Sequence, residues 1–183
     1  MKFQMIIADE LCTSDYVHFD LFKSLELQHH EYLELVKLSQ ELEIELCFDV
    51  FGYESLRVCE DLNLKTIKIH PTDLNNVALL QALNKTEIEE VILGVGGALI
   101  EEIDLALSYL TEKKITLLLG HQAYPTPLED NGLFRLNYLN QKYSGNSRIN
   151  FGFADHEPPE SEYSRILPAM AVSLGAKYIE KHF

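Results

Sequence analysis

The stretch that decides the fold is Leu174-Gly175-Ala176-Lys177-Tyr178-Ile179-Glu180-Lys181-His182-Phe183. A β-branched and aromatic run after a Gly-Ala turn reads as a buried strand. Residues two apart in a strand share a face, so Glu180 and His182 point one way and Lys181 the other. A carboxylate and an imidazole closing a buried strand suggest a site rather than packing. Phe151-Gly152-Phe153-Ala154-Asp155-His156 is a second short apolar strand that ends in an acid and a histidine. Two consecutive strands that each end in histidine can place both imidazoles near one ion.

Upstream, strand-like and helix-like segments alternate. The spacing predicts strands at 3–7, 44–50, 65–69, 90–93, 115–119, 149–153 and 178–182. Helical patterns between them include 29–42, 74–83, 99–110, 133–143 and 163–174. The strands are apolar on both faces, as in a parallel sheet covered by helices. Repeated β-α units mean an α/β fold, either a doubly wound sheet or a (β/α)8 barrel. The placement of polar residues favours the barrel. Lys2 with Gln4, Asp49, Lys68 with His70, the Gly94–Gly97 run, His121 with Gln122, Asp155 with His156 and Glu180 with His182 all sit at strand ends. A barrel site gathers residues from many carboxyl ends, whereas a doubly wound sheet concentrates them at one switch point.

Composition limits the partners. A chain of 183 residues is enough for one domain with a real core. Its formal net charge of −14 disfavours nucleic acid or an anionic membrane surface, which would be repelled. It leaves room for a small anion held by local lysines. No apolar run approaches the roughly 18 residues of a membrane span. Asp9 and Glu10 interrupt any signal-peptide pattern. Cys12, Cys47 and Cys59 lack metal spacing, so free thiols in the cytoplasm are expected. The Gly94–Gly97 region is not a dinucleotide fingerprint.

Taken together, several words resemble the sialic acid synthase family, barrel enzymes that condense phosphoenolpyruvate with an N-acyl sugar. They are Lys2-Phe3-Gln4, Lys68-Ile69 with Asp73-Leu74-Asn75-Asn76, and Val91-Ile92-Leu93-Gly94-Val95-Gly96 with Glu101-Glu102-Ile103. Tyr124-Pro125-Thr126-Pro127, Asp155-His156 and Ile179-Glu180-Lys181-His182-Phe183 complete the set. The resemblance implies one partial TIM-barrel domain over residues 1–183, with the family's first strand and helix, its last helix and its C-terminal antifreeze-like domain absent. Lys-Phe-Gln closes the family's second strand, so 3–7 is also open to reading as the loop that follows it. Open barrel edges imply a homodimer or pairing with a complementary chain.

The resemblance also implies roles. His156 and His182 become ligands of a divalent cation, Mn²⁺ or Mg²⁺, that polarises a sugar aldehyde; the other reading is two hydrogen-bonded core histidines. Lys2 and Lys68 match the lysines that bind phosphate and carboxylate. Glu180 matches a glutamate that moves a proton or orients water. Gln122, where asparagine is usual, Tyr124, Asp73, where glutamate is usual, and Asp155 match substrate-binding positions. The phosphate cradle departs from the family. Its three serine positions read Pro71, Gly94 and Ala154. Thr72 can replace one hydroxyl, the backbone N–H groups of Gly94, Gly96 and Gly97 can form an anion nest, and His70 and His121 stand in the same ring of strand ends. The implied activity is condensation of phosphoenolpyruvate with an N-acetylmannosamine-type sugar. The alternative is a non-catalytic small-anion-binding or assembly protein that keeps the fold.

Overall fold

The computed structural model describes residues 1–182; Phe183, the last residue of the opening stretch, lies outside them. Seven strands form one sheet: β1 Lys2–Gln4, β2 Cys47–Val50, β3 Thr66–Ile69, β4 Glu90–Gly94, β5 Lys114–Leu119, β6 Ile149–Asp155 and β7 Tyr178–Lys181. Their order in the sheet is their order in the chain, and every neighbouring pair is parallel. A doubly wound sheet would reverse direction part-way along; an unbroken sequential order is the barrel pattern. Helices α1 Ala8–Leu11, α2 Phe19–Ser24 and α3 His29–Glu41 lie between β1 and β2. Then come α4 Tyr53–Asp61, α5 Val77–Leu83, α6 Ile100–Tyr109, α7 Leu133–Tyr143 and α8 Tyr163–Ser173, one per crossover.

The sheet is curled into a half-barrel. Four strand spacings in a flat sheet would separate β3 from β7 by about 19 Å. Lys68 Nζ on β3 instead lies 2.8 Å from Glu180 Oε1 on β7. One face of the strands carries Phe48, Ile67, Ile69 and Leu93. These join Tyr32, Leu79, Leu83 and Ile103 of the helices in a single buried cluster. Each such side chain contributes on the order of 1.5–3 kcal/mol. The opposite face therefore holds the polar residues of the strands, and this is what positions the site.

The element boundaries differ from expectation where a side chain intervenes. The strand expected at 3–7 ends at Gln4. Met5 is fully buried and its sulfur packs 4.0 Å from Cys59 Sγ, so the apolar run that follows Gln4 serves packing rather than pairing. The helix expected from 74 begins at Val77. Pro71–Asp73 forms a 3-10 turn first, and Asn76 then caps α5 by accepting the Leu79 N–H at 3.2 Å. β6 runs on through Asp155. Among the described residues no helix is long and apolar enough to cross a membrane.

β1 and β7 are the two edge strands, and Phe3 and Ile179 on them are 40% and 38% exposed. Such edges are expected to drive self-association or pairing with another chain. Sedimentation should show a dimer or larger species at micromolar concentration; a monomer throughout would count against edge pairing.

Candidate active site

The carboxyl ends of the strands surround a cavity of about 340 Å³. Register explains which residues meet there. Gln4 stands opposite Asp49, Asp49 opposite Lys68, and Ala154 opposite Glu180. Residues in register share a face, so these side chains turn inward together. Asp155 stands opposite Lys181. That pair turns outward, as the alternation around Glu180 requires.

Four charged groups form the floor. Lys68 Nζ donates to both oxygens of Glu180, at 2.8 and 3.0 Å. Lys2 Nζ donates to Asp49 Oδ2 at 2.9 Å and lies 3.5 Å from Glu180. Asp49 Oδ2 is also 3.6 Å from Lys68. Asp49 is 1% exposed and Lys68 6%. Burial would raise the Glu180 carboxyl, but Lys68 and Lys2 outweigh it and hold it below its ordinary value. Burial would likewise lower the Lys2 ammonium, but Asp49 and Glu180 outweigh it and hold it above its ordinary value.

His156 and His182 lie side by side at the rim, ring centroids 5.4 Å apart and edge to face. Two imidazoles that bind one ion at about 2 Å each have centroids roughly 4.5–6 Å apart, so the spacing fits a shared cation. His156 Nδ1 donates to the His121 carbonyl at 2.7 Å, which fixes that tautomer and leaves Nε2 for a ligand. Burial, with help from His156, holds His182 below its ordinary value. Among the described residues no three His, Cys, Asp or Glu side chains form a metal cluster. The protein would therefore supply two ligands and leave the rest to water and substrate. Mn²⁺ is expected to raise the melting temperature, as a ligand of the folded state must. The double substitution His156→Ala with His182→Ala should abolish the shift in a calorimetric scan; an equal shift would place the ion elsewhere.

Of the residues singled out in the sequence, Lys2, Lys68, Gln122, Glu180, His156 and His182 line the cavity. Asp73, Tyr124 and Asp155 do not. Asp73 bonds Thr72 and Asn76. The Asp155 carboxylate is spent on Lys181 and on the Glu157 N–H. Tyr124 is 54% exposed and rests on the His182 ring, centroids 4.8 Å apart. The Thr72 hydroxyl is committed to His70 Nδ1 and Asp73. Of the three glycines, Gly94 is in the wall. A Cβ at Gly96 would stand 1.7 Å from the Gly120 carbonyl oxygen, so close packing explains that glycine.

Sequence reasoning placed Asp49 in the ring of strand-end polar residues but gave it no chemical role. Its signal was present, an acid between Phe48 and Val50 inside a fully buried strand. The link between Pro71 and Gly94 was also missed. A Cβ at Gly94 would lie 2.5 Å from both Cδ and Cγ of Pro71. The proline ring fills the space that a side chain at 94 would need, so the residues at 71 and 94 are coupled through one contact.

The chain matches the NeuB family over residues 1–183. It is 31% identical over 186 residues to an uncharacterized protein of Methanocaldococcus jannaschii, covering all of this chain and 52% of that one. It is 27% identical to the pseudaminic acid synthase of Helicobacter pylori, covering 90% of this chain and 46% of the synthase. The structure of a sialic acid synthetase from Leptospira borgpetersenii in complex with citrate superposes with a TM-score of 0.87 at 28% identity, over all of this chain and 61% of the other. The chain thus spans about half the length of the curated relatives it matches.

Proposed function

The chain belongs to the NeuB family, and on that premise we propose that it carries the reacting centre of a sugar-acid synthase, joining phosphoenolpyruvate to an N-acyl sugar aldehyde of the N-acetylmannosamine type. The observation that carries this reading is the convergence of Lys2, Lys68, Glu180, Gln122, His156 and His182 on one cavity. Lys2 and Lys68 hold the carboxylate and phosphate of phosphoenolpyruvate as fixed cations in a partly buried pocket. Gln122 donates to the sugar from the wall, and Tyr124 covers the rim. The methylene carbon of phosphoenolpyruvate attacks the aldehyde carbon and a new C–C bond forms. Water adds at the carbon bearing the phosphate, and phosphate leaves with cleavage of the C–O bond to give a 2-keto acid. Glu180, held ionised by two lysines, orients that water or takes its proton. His156 and His182 would hold a divalent cation, which would supply Lewis-acid polarisation of the aldehyde.

A second reading is favoured by the wall itself. Pro71, Gly94 and Ala154 all line the cavity, and none brings a side-chain hydroxyl. A barrel that binds a small carboxylated or phosphorylated molecule without condensing it fits that wall. The experiment supplies phosphoenolpyruvate, Mn²⁺ and a panel of N-acyl mannosamine-type sugars and follows phosphate release. Release that requires both substrates, at a slow rate, is the expected result. Binding of phosphoenolpyruvate with no sugar-dependent release would replace the first reading by the second.

A further inference from the structure

Lys2 and Lys68 each already face the carboxylates of Asp49 and Glu180. Two ammonium groups and two carboxylates sum to no net charge. An entering dianion therefore finds N–H donors on the floor but little attractive field. The wall adds no hydroxyl at Pro71, Gly94 or Ala154, but it does add an imidazole, that of His70. His70 follows β3 with extended backbone, φ −66° and ψ 146°. The alternation of the strand carries through it, so its side chain leaves on the same face as Lys68, two residues earlier. Two residues of rise set it about 7 Å nearer the mouth, where an anion seated on Lys68 meets it.

The ring is held by one edge. Its Nδ1 accepts the Thr72 backbone N–H at 3.5 Å and lies 2.9 Å from the Thr72 hydroxyl. A backbone N–H can only donate, so the neutral ring carries its proton on Nε2. Phe51 packs against the ring, centroids 5.7 Å apart. Nε2 has no hydrogen-bond partner among the described residues. With Nδ1 turned to Thr72, the edge bearing Nε2 is the one His70 offers to the cavity. The charged groups around it are Asp49 on β2, Lys68 on β3, Asp73 in the 3-10 turn and Lys2 on β1. Burial, with Lys68 and Lys2, holds His70 below its ordinary value against Asp49 and Asp73. It is largely neutral at pH 7, and a dianion against Nε2 would draw a proton onto it. The protonated ring is also accommodated: Nδ1–H donates to the Thr72 hydroxyl, whose own proton turns to Asp73 Oδ2 at 3.4 Å.

We propose that His70 couples anion binding to proton uptake: Nε2–H donates to the phosphate group seated on Lys68, and the ring gains the positive charge that the floor lacks. The inference deepens the condensation reading at its anion seat and rests on that reading only for the identity of the anion.

Sulfate is the probe, because it stays a dianion where phosphate titrates, and divalent metal is left out. Titration calorimetry should show binding at least about 10-fold tighter at about pH 5.5 than at about pH 8, since a dianion in contact raises an imidazole by one unit or more. At an intermediate pH, two buffers of different protonation enthalpy should reveal net proton uptake. His156 and His182 line the same cavity and are unchanged in His70→Gln, which keeps a donor but does not titrate. That variant should lose most of the pH dependence and the proton uptake. His70→Lys carries its charge throughout and should bind sulfate about 10-fold more tightly than the unaltered chain at about pH 8. Thermal melts establish that both variants are folded, and the pH dependence of the unaltered chain needs no variant. Binding independent of pH in the unaltered chain, a pH dependence that survives in His70→Gln, or no sulfate binding at either pH would overturn the proposal. Phosphate release with sugar is measured separately; its absence would remove the condensation reading and leave the sulfate result standing.

Discussion

Lys68→Met is expected to lower stability by about 3–5 kcal/mol, because it leaves one buried and one half-buried carboxylate, Asp49 and Glu180, to share Lys2 alone. In a chain of this size that corresponds to a fall in Tm of roughly 6–20 °C. Among the described residues Lys68 Nζ is the only group that Glu180 meets through both oxygens, and methionine keeps the length of the side chain while removing the charge. Lys65→Met is the control. Lys65 pairs with Glu89 at 3.6 Å, but both side chains are more than half exposed, and such pairs contribute about 0–1 kcal/mol. Thermal unfolding by circular dichroism compares the two; equal shifts would mean that the cavity floor contributes no more than a surface ion pair. The pH dependence has a definite sign. Glu180 is held below its ordinary 4.5 in the fold, so its contribution is fully present above 4.5 and is lost as pH falls through the lowered value. Lys2 is held above its ordinary 10.5, so its contribution is fully present below 10.5 and is lost as pH rises through the raised value. The Lys68→Met protein should lose stability at a higher pH on the acid side than the unaltered chain.

The paired substitution Pro71→Ser with Gly94→Ser is expected to tighten binding of inorganic phosphate by roughly 10²–10⁴-fold, since each hydroxyl donated to a charged phosphate oxygen contributes about 1.5–3 kcal/mol. The two changes should not act independently. Gly94→Ser alone drives a Cβ to within 2.5 Å of the Pro71 ring carbons, so it should destabilise the protein and gain little affinity. Pro71→Ser alone removes the obstruction but restores one hydroxyl at most. A double-mutant cycle in calorimetric phosphate binding measures the coupling, expected at about 0.5–3 kcal/mol for residues in contact. Additive single effects, or a double variant no tighter than the unaltered chain, would mean that the wall at 71 and 94 is not where the anion rests.

The alternation Tyr178-Ile179-Glu180-Lys181 and the acid-histidine end of Phe151–His156 were legible from the chain, because side-chain direction in a strand is a local, two-residue property. So was the choice of a barrel-type sheet, since the polar residues recur at one end of each strand; the sequential order of the strands agrees with it. The pairing of His156 with His182 followed from the same reasoning, and their rings lie side by side. Periodicity alone misplaced the start of α5 and the end of β1, although Lys-Phe-Gln read as a closing strand puts the latter at Gln4. The first is set by a local cap, Asn76 on Leu79, that a periodic pattern does not weigh, the second by the packing of Met5 on Cys59, 54 residues away.

The sequence by itself determined the strand faces, the parallel α/β layering and the set of ionisable groups at the strand ends. Only the tertiary structure decided which of those groups meet. Curling of the sheet brings Glu180 across the half-barrel to Lys68, 112 residues away in the chain. Register sets Asp49 beside Lys68 and leaves its Oδ1 without a hydrogen-bond partner among the described residues. The Pro71 ring over Gly94 and the pairing of Asp155 with Lys181 are likewise long-range facts. A periodic pattern fixes the direction in which a side chain leaves its own strand. Its partner is set by how far the whole sheet bends, a sum over every strand pair that no local stretch of sequence contains.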